Sequence, residues 1–292
     1  MDRRKFLKQG ALGAAAVAAG TTVAANANFE ELAKTKKVGF NHIPSPETKF
    51  FNSNTMKAVI HKAESRGHAN HGWLDTHHSF SFASYYNPER MHFGVLRVLN
   101  DDMVIGGRGF GKHPHDNMEI ISIPLEGDLE HQDSMGTTFT IKKNDVQVMS
   151  AGTGIFHSEK NTHQDQAVKF LQIWVFPKSK NVTPRYDQVT FNPTDRVNKL
   201  QQVVSPNKTD DGVWIHQDAW FYLSDLEANN TVKHTVKKEG NGVYIFVLDG
   251  EAKVGEHTLT KRDGIGITDA TELSITTSKG TEFLLMDVPM SI

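Results

Sequence analysis

Four residues of this chain sit at a spacing that suits metal chemistry. His113 and His115 are separated by one residue, and so are His157 and Glu159. Side chains two apart on an extended strand share a face, so each pair points one way. If the two strands neighbour each other inside a barrel, three imidazoles and one carboxylate converge. Neutral imidazole and hard carboxylate oxygen suit one divalent transition metal, with Fe, Ni, Cu, Mn, Co and Zn all compatible. A lone His-x-His would be a weak signal. Here a second pair is present, and glycine-rich runs, Gly107-Arg108-Gly109-Phe110-Gly111 and Ala151-Gly152-Thr153-Gly154, precede the two pairs.

Glu119 competes for the carboxylate role. It lies four residues past His115, on the same face of an ideal strand but about 13 Å further along, so Glu159 is the more economical ligand. His68, His71, His77, His78 and His131 are irregularly spaced, and His77 and His78 cannot share a strand face. Hydrogen-bonding structural roles fit these five better than a second metal cluster. With no Cys in 292 residues, thiolate metal sites, disulfides and a cysteine nucleophile are all excluded.

The elements that must position the site read as strands. From Met56 onward the chain shows short β-branched and aromatic runs punctuated by Gly, Asn and Asp, among them Phe93 to Leu99, Glu119 to Pro124, Val146 to Ser150, Phe170 to Phe176 and Val243 to Leu248. No long helical period competes, which predicts an all-β protein. The run IISIPLEGDLE at Ile120 to Glu130 parallels VYIFVLDGEAK at Val243 to Lys253, and each leads to another strand after a basic-acidic turn. Two copies of a strand-turn-strand unit predict two tandem small barrels. The boundary falls in the proline-containing stretch Pro177 to Thr194. Aligning the copies places Val236, Lys238, Thr276 and Ser278 where the first has His113, His115, His157 and Glu159. The second copy therefore lacks metal ligands.

The first 27 residues read as an address. Arg3-Arg4-Lys5-Phe6-Leu7-Lys8 resembles the twin-arginine export motif, an Ala/Gly-rich apolar stretch follows, and Ala25-Asn26-Ala27 supplies a cleavage site. This predicts a signal peptide over 1–27, a polar tether over 28–55, a metal-bearing barrel over 56–185 and a ligand-free barrel over 186–292. The exported protein would be periplasmic or secreted after meeting the twin-arginine machinery, with no stable membrane insertion once cleaved. A net charge of −2, from 32 Lys and Arg against 34 Asp and Glu, argues against nucleic acid as partner.

The motifs also carry a resemblance. His113-Pro114-His115, Leu125-Glu126-Gly127, Glu130-His131-Gln132-Asp133-Ser134 and Ala151 to Glu159 resemble the pirin family of bicupins. Arg66 to Leu74 and Ser79-Phe80-Ser81-Phe82-Ala83 resemble its quercetin 2,3-dioxygenase-like branch, and the likeness runs from about Met56 to Pro289. The resemblance implies two tandem cupin (jelly-roll) domains and a metal, usually Fe(II), on His113, His115, His157 and Glu159. It implies oxygenolytic opening of a flavonol ring with loss of carbon monoxide, the substrates being a small aromatic enol and O₂. In that chemistry Glu159 acts as the general base. A non-catalytic, redox-sensing metal protein is the alternative the family allows. Phe80, Phe82, Phe110, Met149 and Phe156 are candidates to touch a flat substrate, although core packing suits most of them better.

Overall fold

The computed structural model describes residues 56–292. The signal peptide assigned to 1–27 and the tether assigned to 28–55 lie outside the described residues. Strands make up nearly all regular structure there. The helical elements are two short 3-10 turns, Ala63–Ser65 and Pro193–Arg196, and no described helix is long and apolar enough to cross a membrane.

The first half is built from two antiparallel sheets. One is four-stranded, in the order Gly109–His115, Ile155–Asn161, Leu129–Asp133, Thr138–Ile141. The other runs Arg185–Thr190, Asp145–Ser150, Glu119–Glu126, Val168–Val175, Leu96–Val104, Leu74–His78, Gly67–Asn70. The second half centres on Asn241–Val254, which pairs with Gly264–Thr268, Thr281–Pro289 and His257–Thr260. Both Leu-acidic-Gly repeats thus lie on matching strands, and the expected all-β architecture of two tandem cupin barrels is what the chain adopts.

One strand crosses between the halves: Lys57–His61 pairs with Gly264–Thr268 in the second half. Arg185–Thr190 pairs with Asp145–Ser150 and so belongs to the first barrel's sheet, which puts that barrel's last strand beyond residue 185.

Strand alternation explains where the core sits. Along Val168–Val175, Leu171, Ile173 and Val175 join a large apolar core with Val204, Phe221, Tyr244, Phe246 and Leu284 of the second half. Burying each such side chain contributes about 1.5–3 kcal/mol. Phe170, Gln172 and Trp174 alternate with them and face the interior of the first barrel. This is why the sequence there is almost continuously apolar: both faces of the strand are covered.

The interior of the second barrel is filled by its own apolar cluster, including Val243, Ile245, Leu259, Ile275 and Phe283. The first barrel differs. Leu74, Val104, Leu129, Ile141, Val168 and Phe170 form an apolar floor, while Ile120, Met149, Ala151 and Ile155 form a separate upper cluster. Two residues along the same strands stand Thr76, Asp102, His131, Gln172, Ser122 and Gln147, all buried. A polar layer therefore lies between two apolar ones, which a barrel stabilised by packing alone would not need.

Candidate metal centre

The two glycine-rich runs let the site strands meet. A Cβ on Gly109 would lie 2.1 Å from the carbonyl oxygen of Glu159, so any side chain there would push Gly109–His115 off its neighbour. Gly152 turns the chain at φ +47°, with the Val182 carbonyl where a Cβ would stand. Across the resulting ladder His157 faces His113 directly and Ile155 faces His115. The register then shifts between His157 and Glu159, leaving Glu159 opposite Phe110. Burial alternates along Ile155–Asn161, so Ile155, His157, Glu159 and Asn161 all point inward.

The structure brings His113, His115 and His157 together. Each offers a ring nitrogen within 4.8 Å of the others, and the ring centroids are 4.3, 4.8 and 4.9 Å apart. The Nδ1–H of His113 donates to the Gly111 carbonyl at 2.8 Å. A carbonyl can only accept, so Nε2 of His113 keeps its lone pair. The Nε2 atoms of His115 and His157 are buried with no hydrogen-bond partner. Burial pushes both rings down to about 3, and the neighbouring imidazoles add to the shift. Neutral, desolvated nitrogens with unshared lone pairs are costly unless something accepts them. A cation of the borderline transition series fits this donor set.

Glu159 is buried beside this group without being one of its three members. Its carboxylate accepts from Nε2 of Gln172 at 3.1 and 3.0 Å and from Oγ of Ser122 at 3.3 Å. Its negative charge partly offsets the depression of His115. Glu119 goes elsewhere. The chain turns at Asn117 (φ +43°), which breaks the face relation with His115 expected of one continuous strand. Glu119 instead accepts from Oγ of Ser150 at 2.7 Å and lies 3.3 Å from Nδ1 of His216 in the second half. Burial raises its pKa.

The other histidines take structural places. His68 and His77 stack at 4.4 Å with 16° between their planes, and Asp75 accepts from Nε2 of His68 at 2.9 Å. His77 Nδ1 lies 3.6 Å from Asp75 as well, so the trio joins Gly67–Asn70 to Leu74–His78 across the hairpin. His78 turns inward to Asn100 at 2.9 Å. His131 donates from Nε2 to Asp133 at 3.0 Å, and its ring lies tilted against His157 with centroids 5.2 Å apart.

Of the residues expected to touch a flat substrate, Phe80 and Met149 are core, Phe110 packs on Trp73, and Phe156 is exposed under Lys112. Phe82 meets Trp174, Phe110 lies opposite Glu159 in the ladder, and Trp174 packs against the cluster that holds Met149. Trp174, edge-on to His115 at 4.8 Å, was not singled out from sequence, nor was Gln172. A Gln and a Trp alternating inward along an otherwise apolar strand were the available signal. In the second half Val236 packs on the barrel core and Lys238 pairs with Asp218. Among the described residues, both His and carboxylate groups able to hold a metal lie in the first half.

Comparison with known proteins agrees with this architecture. The family model Pirin matches residues 59–175, and the model described as quercetinase C-terminal cupin domain matches 202–288. The chain is 43% identical over 230 residues to quercetin 2,3-dioxygenase of Escherichia coli K12, covering 79% of this chain and 98% of that protein. It is 39% identical to a pirin-like protein of Caulobacter vibrioides, covering 76% and 95% of the two chains. The crystal structure of the bacterial pirin YhhW from Escherichia coli, in complex with nickel(II), superposes with a TM-score of 0.76 at 41% identity, covering 81% of this chain and all of that one. Identity of this order, sustained across both barrels and almost the whole length of its relatives, means that the chain belongs to the pirin family of bicupins.

Proposed function

We propose that this protein is a metal-dependent dioxygenase that opens a quercetin-like flavonol with O₂ and releases carbon monoxide. Its one divalent transition metal, Fe(II) by preference, is held by His113, His115, His157 and Glu159. The observation that carries this reading is the pair of buried, partnerless Nε2 atoms on neutral imidazoles. The substrate class comes from the relatives named quercetin 2,3-dioxygenase. A metal bound there supplies a place for the substrate's enol oxygen and a path for triplet O₂ to react with a closed-shell molecule.

The chain's own residues do the remaining work. Desolvation keeps His115 and His157 unprotonated at neutral pH, so no proton competes for their lone pairs. Glu159 accepts the enol proton on a carboxylate oxygen. Trp174 and Phe82 offer an aromatic wall beside His115 for a flat substrate. The metal-bearing barrel over 56–185 does the chemistry, and the barrel over 186–292 supports it through the shared core. Residues 1–27 direct export by the twin-arginine route, placing the protein in the periplasm or outside the cell.

The test is O₂ uptake and carbon monoxide release by the Fe(II)-loaded protein with quercetin. Coupled uptake and release, lost in His113→Ala, is the expected result. No uptake with any first-row metal bound at one equivalent would replace this reading with the non-catalytic, redox-sensing one. For export, the full chain should fractionate outside the cytoplasm, and replacing Arg3 and Arg4 by Lys should retain it inside.

A further inference from the structure

The residue holding Glu159 is itself held. Gln172 Nε2 reaches both oxygens of Glu159, at 3.1 and 3.0 Å, and the indole Nε1–H of Trp174 donates to Gln172 Oε1 at 3.3 Å. An indole can only donate and an ionised carboxylate can only accept. The amide of Gln172 therefore has one orientation that satisfies both neighbours, and a flip would lose both contacts. Gln172 and Trp174 share the inward face of Val168–Val175, so the strand fixes their relation. Gln172 is 7% exposed and Glu159 1%, which leaves little water to replace either contact. The other end of this relay touches one of the three histidines, since the Trp174 ring meets His115 edge-on at 4.8 Å.

The geometry points to Gln172 as the positioning residue for Glu159, with Trp174 setting the amide. This rests on the metal centre proposed above. Its chemical content is that the carboxylate is delivered to the metal group in one rotamer, and that the same indole packs on one ligand while orienting the support of another. Residues that orient metal ligands typically change affinity ten- to a hundredfold when removed.

The experiment measures Ni(II) affinity by competition with a chelator, on the whole chain. The variants are Gln172→Leu, Trp174→Phe and the double, each in the wild-type and the Glu159→Gln background. Gln172→Leu should weaken Ni(II) binding by roughly tenfold or more, and Trp174→Phe by less. The double variant should be no weaker than Gln172→Leu alone, because Trp174 acts through the amide. In the Glu159→Gln background, Gln172→Leu should have no further effect. Wild-type affinity in Gln172→Leu would overturn the proposal, and so would an equal loss in both backgrounds, which would mark Gln172 as structural. Should Gln172→Leu fail to fold, Gln172→Met in the two backgrounds gives the same decision. None of these readings needs turnover, so an inactive protein would sink the dioxygenase and leave this inference standing. Ni(II) retained by His113→Ala would overturn the site and this inference with it.

Discussion

Asp102 is an acid in the polar layer of the first barrel, 4% exposed, with Oγ1 of Thr76 donating to it. Burial, reinforced by the negative charge of Glu159, pushes its pKa up from 3.8 to about 7, against the opposing pull of Thr76. A native state that holds a proton the unfolded chain has released loses stability as pH rises through that window. The loss begins near the unfolded value, continues to about 7 and is complete above it. Three units correspond to about 4 kcal/mol.

Asp102→Asn keeps the shape and can still accept from Thr76, but it does not ionise. Metal-free wild type and variant should be unfolded in urea across a pH series, so that every other titration cancels in the difference. The variant's advantage should be about 1 kcal/mol near pH 4.5 and approach about 4 kcal/mol above pH 8. Parallel stability profiles would refute the argument, because they would mean that Asp102 ionises in the folded barrel as readily as in water.

Three further outcomes are expected. Glu159→Gln should lower turnover far more than it lowers metal content, measured by stopped assays beside elemental analysis, because the amide can still occupy the site but cannot accept a proton. Gly109→Ala should lower the melting temperature and the metal content together, since the added methyl meets the Glu159 carbonyl between the two site strands. Metal-free protein should lose stability as pH falls from about 6.5 to about 3, at up to about 1.4 kcal/mol per unit for each depressed histidine. His157→Gln should make that slope shallower, and an unchanged slope would mean that the ring is not held neutral by burial.

Much of the site was legible because its information is local. His-x-His and His-x-Glu are readable as same-face pairs, and the glycines before them mark the close strand approach seen at Gly109. The repeat was readable because its Leu-acidic-Gly turn is short and chemically distinctive. What escaped depends on partners distant in sequence. Glu119 was set on one face with His115 by assuming an unbroken strand, and the left-handed Asn117 breaks it. Gln172, Trp174 and Asp102 are ordinary residues until the ladder places them against Glu159 and Thr76. The residues read as an export signal and a tether, 1–27 and 28–55, lie outside the described residues.

The strand that crosses between the halves imposes an order on synthesis. Lys57–His61 is made long before its partner Gly264–Thr268. The first barrel likewise waits for Arg185–Thr190 before Asp145–Ser150 has its outer neighbour. The second barrel thus takes in a strand made before the first, and its sheet cannot close until both partners exist. Such distant pairing slows folding and leaves a sheet edge bare until the later strand arrives. The nascent chain therefore has to keep an early strand from aggregating until a late one arrives.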